Sequence, residues 1–173
     1  MAPCSVMIME GWRLAMPRYS VSEEWLNFKN KVATLIGSND FDAVLKLRDQ
    51  VSDSELEHAI DELASEKKDF SYYLFLEYWI LKTDSQEAHR AAATALIGFY
   101  SWIPGAYTLA FAHIQHVIER DPNNIADLLA ALHTWESPDA EVDQATVHLY
   151  AQRVLEVDPD NETALYALER THG

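Results

Sequence analysis

His113-x-x-His116-x-x-Glu119 sets three side chains of metal-ligand type at steps of three residues. Along a helix each such step drifts only about 60° around the axis, so neighbouring ligands can share one ion. Glu55-x-x-His58 has the Glu-x-x-His spacing that di-iron helical bundles use. Such a bundle needs a second copy of that motif and two further glutamates, and the second copy is missing. His113 takes a small or apolar position in its helical stack and His116 one that faces water. The expectation is therefore a structural and surface role for the pair, with no metal and no cofactor.

Other chemistry finds less. The five glycines are scattered, at Gly11, Gly37, Gly98, Gly105 and Gly173, and make no phosphate-cradling loop. No Gly-x-Ser-x-Gly elbow is present. Cys4 is the only cysteine, which excludes an internal disulfide and a thiolate metal cluster and suits a reducing, cytoplasmic location. The chain reads as non-enzymatic. The alternative from another class is a helical metal-dependent enzyme built on His113, His116 and nearby carboxylates.

Charge sets the next bound. With 28 acidic against 13 basic residues the net charge is −15, a field that repels phosphate backbones and favours a basic partner. Lys29 with Lys31, and Lys67 with Lys68, are the only close lysine pairs, and acids flank each. Nucleic acid is not an expected ligand. Neither is a membrane, since no segment approaches 18 uncharged apolar residues.

The elements that must carry these residues are helices. "VIERDPNN" (117–124) and "VLEVDPDN" (154–161) are near-copies 37 positions apart, and the likeness runs on both sides of the Asp-Pro. Proline cannot continue a helix interior and disfavours α geometry in the residue before it, so each phrase is a joint between two helices. Asp84 with Glu87 forms a weaker copy of that joint, and Ser20-x-x-Glu23 and Ser52-x-x-Glu55 mark further helix starts. Apolar residues recur at helical spacing between these marks, and "FSYYLFLEYWIL" (70–81) is apolar nearly all round, as for a helix covered on both sides. The pattern predicts helices over 20–36, 40–50, 53–66, 69–83, 86–102, 106–120, 124–135, 141–157 and 161–170. Residues 1–19 are expected to be a flexible extension, with Met9 and Met16 as alternative starts, and 20–173 a single domain.

At this point a resemblance can be named. Residues 91–124 resemble a tetratricopeptide repeat, a 34-residue helix-turn-helix unit, through Ile97-Gly98, Ala110, Val117, Pro122 and the Pro104-Gly105 turn. Residues 125–161 match through Leu128, Trp135, Val154 and Pro159, with Leu132 in place of a glycine and a three-residue insertion placed within "ESPDAEV". Residues 54–87 fit through their lengths. The fold this implies is all-α: antiparallel helical hairpins stacked as a short α-solenoid of about nine helices.

The resemblance also implies a concave groove on the first helices of the units. Its positions fall on Glu55, His58 and Glu62, then Ala95, Phe99 and Trp102, then Leu129, His133 and Glu136. Members that clamp a peptide carboxylate use Lys, Arg and Asn there, and here the positions are acidic or apolar. Asp139, Glu141 and Asp143 extend the acidity through the insertion, and after His116 twelve acids face only Arg120, Arg153 and Arg170. Aromatic anchors with a charged rim suit a protein-binding surface. The reading is a protein–protein interaction module for a basic or amphipathic partner. Its most concrete form is a cytosolic inhibitor or immunity protein that neutralises a toxin. A small acidic secretion chaperone for an effector is the second form.

Overall fold

The computed structural model describes residues 22–137 and 139–171, so the extension over 1–19, Cys4 and the Ser20 start signal lie outside the described residues. Nine α-helices and no strand form among the described residues. They are α1 (Glu23–Gly37), α2 (Phe41–Lys46, continued by a 3-10 turn at Leu47–Asp49), α3 (Asp53–Lys67), α4 (Ser71–Thr83) and α5 (Gln86–Gly98). α6 (Ala106–Arg120), α7 (Ile125–Thr134), α8 (Gln144–Val157) and α9 (Glu162–Thr171) complete the chain.

α1 packs on α2, each helix from α3 onward packs on the next, and helices two apart also touch: α1 on α3, α3 on α5, α7 on α9, and α2 on α4. The result is a two-layered all-α stack, odd-numbered helices in one layer and even-numbered helices in the other. α4 sits inside it, touching α1, α2, α3 and α5, and buries Tyr72, Tyr73, Phe75, Leu76 and Trp79. An apolar helix of this kind can be soluble only when neighbours cover it, so α4 fixes the order of the stack.

The twin Asp-Pro phrases are twin joints. Asp121 ends α6 with its N–H on the Val117 carbonyl, and Asp158 ends α8 with its N–H on Val154. Both leave the helix at nearly the same angles, φ −132° and −130°. Three residues on, Asn124 accepts from the N–H groups of Ala126 and Asp127, and Asn161 accepts from that of Ala164. One phrase thus supplies the C-terminal exit, the turn and the N-terminal cap.

Two helix starts and one cap differ from the sequence reading, each for a local reason. α1 starts after Ser22, whose hydroxyl accepts from Trp25 N. Ser85, rather than Asp84, caps α5 by accepting from Ala88 N, while Asp84 is the left-handed residue that closes α4 at φ 53°. Asp143 caps α8, so that helix begins at Gln144 instead of 141. Ser52 and Glu55 form the expected reciprocal capping box at α3.

One helix end differs too. α5 stops at Gly98 rather than running to 102. Tyr100 turns out of the helix, buries its ring edge-on to Phe70 and Tyr73, and donates its hydroxyl proton to the Asp69 carbonyl at 2.6 Å. That docking of α5's exit into the α3–α4 joint leaves Trp102 at the surface, 75% exposed. Gly105, at φ 82°, then starts α6 in a conformation that a side chain would strain.

Candidate functional site

Three places in the stack gather polar chemistry. One lies where α4, α5 and α6 meet. Asp84, in its left-handed cap, sends Oδ1 toward two rings: His116 Nε2 at 2.9 Å and His89 Nε2 at 3.3 Å. The two rings stack at 4.1 Å between centroids. Arg120 holds the other side of Asp84, donating to its carbonyl at 2.9 Å and to Oδ2. Those contacts, Arg120 first, hold the Asp84 carboxyl far below the usual carboxylate range.

Behind His89 the polar chain continues inward. His89 Nδ1 is 3.0 Å from His113 Nδ1, and both rings are buried, 6% and 7% exposed. His113 Nε2 lies 3.2 Å from Glu77 Oε1, within ion-pair distance but out of line for a hydrogen bond. Tyr73 donates its hydroxyl to that same Glu77 oxygen. Burial pushes His89 toward its neutral form, and the His113 ring beside Glu77 holds the Glu77 carboxyl below its ordinary value.

The sequence pair His113 and His116 is therefore split between the interior and the edge of the stack. The 60° drift between them sends His113 into the buried interior and leaves His116 at the edge, its side chain 35% exposed. His89 and Asp84 come from neighbouring elements, and sequence reasoning missed them because ligands from different helices keep no fixed spacing. The one available signal was Asp84 itself, already marked as a joint residue that must lie beside the next hairpin.

A second gathering lies on the odd-numbered layer. Arg90 of α5 makes a two-pronged pair with Asp127 of α7, at 2.9 and 2.8 Å, and a further contact to Gln86. Asp127 is only 2% exposed. Glu57, half-buried on α3, has its carboxyl pushed up to about 8, first by desolvation and then by Glu87, Asp61 and Asp127 against the opposing pull of Arg90. The folded chain thus holds this proton to higher pH than the unfolded chain does. Stability from Glu57 is complete below its unfolded value near 4.3 and is lost as pH rises toward about 8. Glu57→Gln should stabilise the protein by on the order of 2 kcal/mol at pH 8.5 and change it little at pH 4.5, as read by urea unfolding at both values. An equal gain at both pH values would show that charge on Glu57 is not the cause.

The expected partner-facing residues divide into two sets. Those of α3 already have partners within the chain. Glu55 is held by the Ser52 backbone N–H and hydroxyl, which lower its pKa. The ring of His58 stacks on Trp25 at 5.5 Å and points Nε2 toward Glu62 at 3.4 Å. Glu62 also takes Lys29 Nζ at 2.6 Å and the Trp25 indole N–H. α1 supplies both of these, so α1 lies over that stretch of the surface. Ala95 is buried, and Phe99 packs half-buried against the core.

The C-terminal set is more open. His133 and Glu136 line a cleft of about 390 Å³ between α7 and α9, together with Leu132, Glu162, Thr163 and Tyr166. Burial holds His133 toward its neutral form, and the Glu136 carboxylate pushes the Tyr166 hydroxyl up. Leu129 of α7 is half-buried against the core. In the insertion, Asp139 accepts from the Gly105 N–H at 2.6 Å while its carbonyl accepts from Thr108. Asp143 is occupied in capping α8, accepting from Thr146 N at 3.0 Å. Glu136 and Glu141 are exposed.

No protein-family model matches the chain, and neither a curated protein nor a solved structure matches it. Among the described residues, no helix is long and apolar enough to cross a membrane.

Proposed function

We propose that the chain is a protein-binding module that takes a basic, amphipathic segment of a protein partner into the cleft between α7 and α9. The observation that carries this reading is the lining of that cleft. Leu132 and Tyr166 offer apolar and aromatic wall, and the carboxylates of Glu136 and Glu162 stand beside it. A lysine or arginine fits such a place, stem along the wall and charge at the carboxylates, with the Tyr166 ring as a further attraction. The net charge of −15 favours the same partner at long range. Trp102, outside the cleft, is a second anchor for a larger contact. The resemblance to tetratricopeptide repeats, whose stacks bind protein segments, supports this class of function. In its most concrete form the module is a cytoplasmic inhibitor that covers the basic active site of a toxin.

Selection of displayed random peptides on the immobilised chain should enrich segments that mix Lys or Arg with apolar residues. Their association should slow by about tenfold or more from low to physiological salt. Glu136→Gln with Glu162→Gln should remove most of that salt dependence, and Trp102→Ala should raise the dissociation rate instead. Enrichment of acidic segments, or binding indifferent to salt and to both carboxylates, would defeat the proposal.

A further inference from the structure

The α4–α6 junction holds a line of imidazoles and carboxylates whose outer end suits a cation. Asp84, His89, His113 and Glu77 form a line with three contacts: Asp84 to His89, His89 to His113, and His113 to Glu77. The inner contact of His89 Nδ1 with His113 leaves His89 Nε2 at the outer end beside Asp84, where solvent has access.

The outer end has the ligands for a cation. Asp84, His89 and His116 each bring a ligand atom within 4.8 Å of the other two. Asp84 Oδ1 lies 3.3 Å from His89 Nε2 and 2.9 Å from His116 Nε2, against the edge of about 3.3 Å that tetrahedral zinc with bonds of about 2.0–2.1 Å requires. We infer that Asp84, His89 and His116 form a binding site for a divalent transition-metal ion of the zinc class, open to water or to a partner's side chain at its remaining position.

The surrounding residues serve that site. Arg120 occupies Asp84 Oδ2, which leaves Oδ1 for the ion. With an ion on its Nε2, His89 would give its Nδ1–H to His113 Nδ1, and His113 Nε2 lies 3.2 Å from Glu77 Oε1. This is the outer-shell arrangement that fixes a ligating imidazole in the right tautomer and raises its basicity. Three elements meet at the ion: the C-terminal cap of α4, the first turn of α5 and the last turns of α6. A metal there staples two consecutive hairpins together, and nothing in this inference depends on the partner cleft at the other end of the chain.

Metal-free full-length chain titrated with zinc chloride, and with cobalt chloride as a coloured probe, tests the site. One equivalent should bind. Cobalt should develop the visible absorption of a nitrogen- and oxygen-ligated ion, and zinc at about a hundredfold excess over its Kd should raise the melting temperature by about 5 °C or more. Magnesium should do neither, because imidazoles are poor ligands for it. His116→Gln removes a ligand at a partly exposed position where folding tolerates change, and should abolish the cobalt spectrum. Glu77→Gln leaves all three ligands in place and should weaken zinc by about 10–100-fold, which a simple surface site would not feel. Protons should displace the ion as pH falls below about 6. No saturable binding, binding that survives His116→Gln, equal stabilisation by magnesium, or indifference to Glu77→Gln would each overturn the inference.

Discussion

Replacing Arg90 by methionine should destabilise the fold by about 3–5 kcal/mol, the cost of leaving a buried carboxylate without its partner. Asp127 has its carboxylate almost wholly out of water, and both of its oxygens are taken by Arg90. Water cannot replace the guanidinium there, and Glu57 and Glu87 add negative charge to the same neighbourhood. Methionine keeps most of the arginine stem's packing, so the loss isolates the charge. Removing Asp127 as well, as Arg90→Met with Asp127→Leu, should recover most of the stability, since an ion pair exchanged for apolar side chains of similar size is often neutral. Urea unfolding of the two variants decides the matter. A single variant within 1 kcal/mol of the parent would mean that solvent reaches Asp127. A double variant as weak as the single would mean that packing, not charge, was lost.

That pair also shows where the sequence was informative and where it was read too narrowly. Arg90 and Asp127 stand 37 residues apart, the interval of the two Asp-Pro phrases, and so do Lys29 with Glu66 and Trp25 with Glu62. A search for opposite charges at the repeat interval would have found the first two. The joints themselves were legible because proline and asparagine act locally: Asp121 and Asp158 end helices, and Asn124 and Asn161 start them, whatever surrounds them. The exit of α5 was not legible in the same way. Nothing local forbids helix through Phe99–Trp102, and what ends it is the distant pocket that receives the Tyr100 ring. The candidate sites divide along the same line. Glu136 and His133 could be placed by counting along units, and they share a cleft. Glu55, His58 and Glu62 came from the same count, but it could not see that α1 lays Trp25 and Lys29 over them. His116 was read with His113, three residues away, because spacing is all a single helix offers. Its neighbours at the junction, Asp84 and His89, become visible only once three elements are packed together.

A graded deletion tests the stack as a whole. Removing 141–173 takes away α8 and α9, and with them the cover over the end of the core. Leu128 and Leu132 of α7 and Phe111 of α6, all buried, would then meet water, and Phe111 would lose the Tyr150 ring stacked against it at 6.4 Å. At about 1.5–3 kcal/mol for each large side chain, the loss is on the order of 5–8 kcal/mol. A domain of this size has about 5–15 kcal/mol in total, so the shortened chain should unfold or aggregate at ambient temperature. Removing 159–173 instead takes away only α9, whose fully buried side chains are the small Ala164 and Ala167 and whose Leu165 is already 48% exposed. That chain should stay helical and melt cooperatively at a lower temperature. The ordering of the two is the physical signature of a structure in which each unit is held mainly by its neighbours, because damage then grows with the number of interfaces removed. Circular dichroism and size-exclusion chromatography read both outcomes. A long deletion as stable as the parent would show that α8 and α9 are appended rather than stacked. A short deletion as destructive as the long one would show a single all-or-none core, in which the helices cannot be counted as successive units at all.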